Sequence, residues 1–226
     1  MKKFLLRISR IAALAVVMFS GMGSAKAQYA QIVNQLPEIL SPALSGSMKY
    51  KGYVDVTSTF GIGSERANFV GISTSQGFRY ANWFFMGAGI GVDVAMSKKH
   101  DMLPPGMSLP PHMSEVKAML PLFTDFRFIL GQGSGVSAFI DIKAGATWLL
   151  GSSYLYLNSS ALTTQTQFLL RPSIGVRIPA NSKNARQAVN LGLTYQLITA
   201  NNSWGYWGGS NNATLNSLGL TVGYEW

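Results

Sequence analysis

The 226-residue chain has no cysteine, so neither a disulfide framework nor a thiolate metal site is open to it. Charge is scarce: 12% of residues are charged and only nine are acidic. Beyond the N-terminal segment, no apolar run approaches the roughly 20 residues that a membrane-spanning helix needs. A phosphate-cradling glycine loop is also missing. "GAGIGVDV" alternates as a strand does and opens no helix, so it fails the context that such a motif requires. What the chain has instead is 24 glycines and 12% aromatic residues, a composition that leans towards an all-β barrel.

The first residues carry an address. Lys2, Lys3, Arg7 and Arg10 precede the short apolar run "IAALAVVMF", and Ala25-Lys26-Ala27 supplies a small-residue cleavage site. This order predicts a secretory signal peptide over residues 1–27. Its removal takes five of the 18 basic residues and no acidic one, which lowers the net charge from +9 to +4. The high isoelectric point therefore belongs partly to the signal, and a nucleic-acid partner is not expected. The remaining 199 residues suit a periplasmic extension over 28–47, with a short helix in "YAQIVNQLPEIL", followed by one domain over 48–226.

Eight segments in that domain alternate with a period of two, near residues 48–62, 68–79, 83–97, 119–130, 136–150, 165–179, 187–199 and 216–226. One parity is bulky and uncharged. In the third segment it reads Met86, Ala88, Ile90, Val92, Val94, and in the fourth Leu120, Leu122, Phe126, Phe128. The other parity is rich in glycine and carries the charges: Lys51, Asp55, Asp93, Asp125, Arg127, Asp141, Lys143, Arg171, Arg177 and Glu225. Turned inward, eight rows of Leu, Ile, Phe and Trp would overfill an eight-stranded barrel. Turned outward, that face meets lipid, where a midplane Arg or Lys costs about 2–4 kcal/mol. The fold expected is an all-β, eight-stranded antiparallel transmembrane barrel. Connections agree: "RYANW", "GQGSG" and "ANSKNAR" are short, whereas 98–118, 152–164 and 200–215 are long. Pro172 interrupts the sixth segment and calls for a local bulge.

With "FVGISTSQGFRYANWFFMGAGIGVDV" and "MLPLFTDFRFIL" in this order, the chain resembles the small eight-stranded outer-membrane barrels of Gram-negative bacteria. These are the OmpX, OmpW and OmpA-barrel type, and the phrasing is similar to the outer membrane beta-barrel domain family of Bacteroidetes. The resemblance implies localisation to the outer membrane, after secretion to the periplasm. It also implies contact with outer-membrane lipid and lipopolysaccharide, and an assembly signal for the barrel-assembly machinery. That signal would be read from Tyr224 and Trp226, with Leu218, Leu220 and Val222 before them. No peptidoglycan-binding domain follows the barrel segment, so a cell-wall tether is not implied.

Candidate chemistry is thin. The ten lumen charges are five acidic and five basic, which predicts a salt-bridged plug ahead of a conducting pore. His100 and His112 share a loop with Met102, Met107, Met113 and Met119, ligands that suit copper, but their spacing builds no cage and no metal or cofactor is expected. His112-Met113-Ser114 has the H-x-S spacing of lipid A deacylating barrels, yet it sits beside two prolines in a loop, so no enzyme is expected. Trp204, Tyr206 and Trp207 lie among Gly and Asn, and suit either an interfacial aromatic belt or an extracellular glycan or protein ligand. The expected function is that of a monomeric, non-enzymatic cell-surface barrel, structural or binding through its long loops. The alternative is passage of small hydrophobic compounds, which requires an apolar funnel not visible on the charged parity.

Overall fold

The structure is a computed structural model that describes residues 48–80, 83–97, 113–131, 135–157, 161–180, 186–202 and 211–226. The expected signal peptide, extension and helix lie outside those residues. Among the described residues eleven strands follow one another: β1 (Lys49–Ile62), β2 (Ala67–Tyr80), β3 (Phe84–Ser97), β4 (Met113–Ser114), β5 (Val116–Leu130), β6 (Ser137–Leu149), β7 (Tyr154–Tyr156), β8 (Ala161–Leu162), β9 (Gln167–Pro179), β10 (Ala188–Asn202) and β11 (Asn211–Glu225). Eight of them close into an antiparallel barrel in the order β1-β2-β3-β5-β6-β9-β10-β11, with β11 pairing back onto β1. Closure leaves no strand edge exposed, which backbone in hydrocarbon requires.

The period-two pattern maps onto the wall as expected. Val56, Ile72, Ile90, Leu122, Ile174, Leu193 and Leu220 face outward and are exposed, and no charged residue occupies the outward parity of the described barrel strands. Aromatic side chains gather on this outer face at the end where β2 turns into β3. Trp83, Phe84 and Phe128 stack there, with Phe84 and Phe128 centroids 5.1 Å apart, and Tyr224 stacks on Trp226 at 6.4 Å. Such a girdle marks a membrane–water boundary. Because chains of this architecture keep short turns on the periplasmic side, that end is the periplasmic one, and both β1 and β11 have an end there.

Three features depart from the sequence expectations. First, the last hairpin is longer: β10 and β11 stay paired up to Asn202 and Asn211, so the connection expected over 200–215 shrinks. Second, the long outward connection over 152–164 carries short strands of its own. It contributes β7 and β8 to a three-stranded sheet of order β4-β7-β8, whose third strand comes from residues 113–114, and Leu155, Leu157 and Leu162 are fully buried. Third, Pro172 creates no bulge. Thr194 pairs with Ser173 and Leu197 with Leu170, so the β9–β10 register is the same on both sides of the proline and only the pairing between is missing. A proline lacks one ladder donor, and losing that bond perturbs the wall less than inserting a residue. Pro121 does the same between β3 and β5, where pairing stops at Ile90–Leu122 and resumes at Asp93–Met119.

Candidate functional site

The barrel interior is filled in layers. At the periplasmic end, Glu225 is wholly buried and receives three cations: Lys51 Nζ at 2.9 Å, Arg79 Nη2 at 2.7 Å and Arg177 Nε at 2.7 Å. Lys51 also donates to the Arg186 carbonyl, and Arg79 to the Tyr53 hydroxyl. Arg127 lies above this group with its guanidinium carbon 3.9 Å from the Tyr53 ring centroid, a cation–π contact in a dry setting.

Arg127 then anchors the middle layer. Its Nη2 lies 3.0 Å from Asp55, 2.9 Å from Asp141 and 3.8 Å from Asp125. Lys143 Nζ sits 2.5 Å from Asp55 and 3.6 Å from Asp141. Ser75 donates its hydroxyl to Asp125 at 2.5 Å. Carboxylate oxygens of Asp55, Asp125 and Asp141 fall within 4.8 Å of one another, a spacing that a metal ion could use. Two cationic side chains already stand among them, so the layer is an ion-pair cluster. A third group joins Arg171 to Asp93 and, through Nε at 2.8 Å, to the Gln196 amide oxygen.

Glycines make room for these charges. A Cβ on Gly223 would fall on Asp55 Oδ1, and one on Gly71 would fall on Asp93 Oδ1. The glycine-rich inner parity is thus the space into which the carboxylates fold. Gly223→Val should push Asp55 away from Arg127 and Lys143 and lower the denaturation midpoint of the refolded barrel, whereas Gly63→Val, in a turn with open space around it, should act only through its positive φ.

The outward end is different. Phe69, Met119, Phe123, Leu149, Leu169, Ile198 and Leu215 line the lumen there, and Leu155, Leu157 and Leu162 of the 152–164 segment fill it. An apolar section therefore exists inside the barrel, which the charged parity of the sequence does not reveal, but the chain's own leucines occupy it. The segment is fastened by Lys117 Nζ to Ser153 Oγ at 2.9 Å, by Gln167 Nε2 to the Thr163 carbonyl at 2.7 Å, and by Trp148 Nε1 to Thr166 Oγ1 at 2.9 Å.

All ten lumen charges expected from the sequence are buried. Arg79 and Lys117 are also buried and had not been assigned there. Their inward parity with Ser75 and Met119 is the available signal: Lys117 precedes the expected segment 119–130, whose strand begins three residues earlier, and Arg79, the last residue of the expected segment 68–79, also opens the connection "RYANW". Ser114 keeps its hydroxyl on the Val116 carbonyl at 2.7 Å. His100, His112, Trp204, Tyr206 and Trp207 lie outside the described residues. Tyr224 and Trp226 face outward at the girdle, and Trp226 exchanges backbone hydrogen bonds with Gly52 at 3.1 and 3.4 Å.

A closed eight-stranded wall, uncharged and apolar outside and ion-paired inside, is a small transmembrane β-barrel of the outer-membrane class. No protein-family model matches the chain, and no curated protein matches it. Among solved structures it is similar to Neisserial surface protein A, at 11% identity, TM-score 0.49, covering 79% of this chain and 97% of that one. It is also similar to the outer-membrane enzyme PagL, at 14% identity, TM-score 0.44 and 75% and 97% coverage. The outer-membrane protein OprG from Pseudomonas aeruginosa aligns at 9% identity, TM-score 0.42 and 80% and 98% coverage.

Proposed function

We propose that the protein is a non-enzymatic surface barrel of the outer membrane that works through its outward-facing connections, and that its lumen is a plug. The observation that carries this reading is the double seal: a buried ion-paired layer between Asp55, Arg127, Asp141 and Lys143, and above it an apolar layer closed by Leu155, Leu157 and Leu162. Buried charges paired this closely fill space that a water path would need. The candidates for contact with a glycan or protein remain Trp204, Tyr206 and Trp207, and lipopolysaccharide and outer-membrane lipid are the partners expected of the wall. Grafting or deleting the outward connections, scored by binding to surface glycans, tests that half of the reading.

The plug half has a direct test. Purified protein in planar bilayers should show no steady single-channel current. Replacing residues 152–165 with a short Gly-Ser turn should also give none, because the ionic layer lies beneath the lid. Steady conductance from either protein would overturn the plug.

The apolar outer section supports a second reading, in which small hydrophobic compounds enter once the lid lifts. It predicts that the lidless variant, and not the intact protein, takes up a lipophilic fluorophore.

A further inference from the structure

The barrel wall has two interruptions in its hydrogen-bond ladders, and one side-chain group touches both. Between β3 and β5 the pairing skips Gly91 and Val92 opposite Leu120 and Pro121. Between β9 and β10 it skips Arg171 and Pro172 opposite Tyr195 and Gln196. Every other barrel pair is continuous over its described register. These two seams divide the wall into a three-strand panel, β5-β6-β9, and a five-strand panel, β10-β11-β1-β2-β3.

Arg171 stands inside one seam. Its Nε bonds Gln196 directly across that seam at 2.8 Å, where backbone pairing is missing. Its Nη2 reaches over the lumen to Asp93, the first β3 residue beyond the other seam. Arg171 is 2% exposed and Asp93 3% exposed, so the pair is dry. On the lipid side, a groove of about 330 Å³ over β1, β2 and β3, lined by Val54, Ile72, Thr74, Ile90 and Val92, extends to Leu120 across the β3–β5 seam. Ser73 Oγ and Gln196 Nε2, both buried, accept or donate no hydrogen bond among the described residues.

We propose that Asp93, Arg171 and Gln196 form a latch across the lumen that holds the two proline-interrupted seams closed. The prolines remove wall hydrogen bonds at fixed register, and the latch supplies side-chain bonds in their place, from one panel to the other. Asp55–Arg127, Asp55–Lys143, Ser75–Asp125 and Arg177–Glu225 also join the panels but border neither seam, and Ser173–Thr194 crosses only the β9–β10 seam.

The latch makes a local prediction that a merely stabilising ion pair does not. Hydrogen–deuterium exchange of the refolded barrel in phospholipid nanodiscs should show Asp93→Asn raising exchange about ten-fold in segments 90–93, 119–122 and 194–197, with the β1–β11 closure unchanged. Asp55→Asn, a comparably buried neutralisation, should show no such preference for the seams. Adding Pro121→Ala and Pro172→Ala to Asp93→Asn should restore the ladder donors and suppress the seam exchange. A uniform rise over all strands, or failure of the alanines to suppress it, would overturn the latch. Pro121→Ala with Pro172→Ala in the otherwise unchanged chain keeps the test open if Asp93→Asn does not fold. Seam exchange should then fall to the level of neighbouring strand positions, and no change would count against the proposal.

Discussion

Trp226→Ala is expected to lower the folded, heat-modifiable fraction about ten-fold, equivalent to ~1.4 kcal/mol. The reason is the seat this side chain occupies. Its backbone extends the β1–β11 ladder onto Gly52 through two hydrogen bonds. Its indole lies over Gly52, in the space where a Cβ would fall on the ring. Packing of this kind in lipid is not driven by removal of apolar surface from water, because the alternative surroundings are equally apolar. The gain comes from close fit and from completing the pairing that removes the last free strand edge. Gly52→Ala should therefore imitate Trp226→Ala, because the added methyl displaces the indole. The double variant should be little worse than either single one, a non-additivity expected of residues in contact. Boiled and unboiled samples compared on a gel measure the folded fraction. Full additivity, or folded yields unchanged in both single variants, would show that the indole on Gly52 is incidental to closure.

This seat was half legible from sequence. The alternation of Leu218, Leu220, Val222, Tyr224 and Trp226 placed the tryptophan outside and Glu225 inside, and the structure does so too. Gly52 was invisible as a partner, because no local pattern tells which glycine across a closing seam will face a given ring. The same division runs through the whole barrel. Parity is a local property, so strand number, facing and the lumen charges could be read from residues two apart. Height along the barrel axis is not local. Phe69, Met119, Leu149, Leu169, Ile198 and Leu215 all sit on the inner parity, each near the outward end of its strand. Only aligning the strands by height reveals them as one apolar layer. "YLYL" in the 152–164 segment alternates over four residues, which is too short to distinguish a lid strand from a loop. Proline was misread for a different reason: a bulge was expected at Pro172, whereas keeping the register and forgoing a ladder bond satisfies the same constraint.

The middle ionic layer makes the second large prediction, and it concerns sign as much as size. Among the described residues, three carboxylates (Asp55, Asp125, Asp141) face two cations (Arg127, Lys143). Arg127 is the group that touches all three acids, and it is 2% exposed. Arg127→Met keeps much of the volume and leaves Lys143 alone against three acids, so it should destabilise the refolded barrel by about 3–5 kcal/mol, the cost of stranding buried partners. Asp125→Asn should do the opposite or nearly nothing. It brings the cluster to two acids and two cations, and the amide oxygen can still accept the Ser75 hydroxyl. Asp125 also makes the longest of the three contacts to Arg127, and its Oδ1 receives no hydrogen bond from a described residue. Combining the two changes should recover part of the loss, since each removes one member of the same network. Guanidinium denaturation midpoints in a single detergent compare all four proteins. If Asp125→Asn cost as much as Arg127→Met, the layer would be held by hydrogen-bond geometry at every carboxylate, and the charge surplus would not govern its stability.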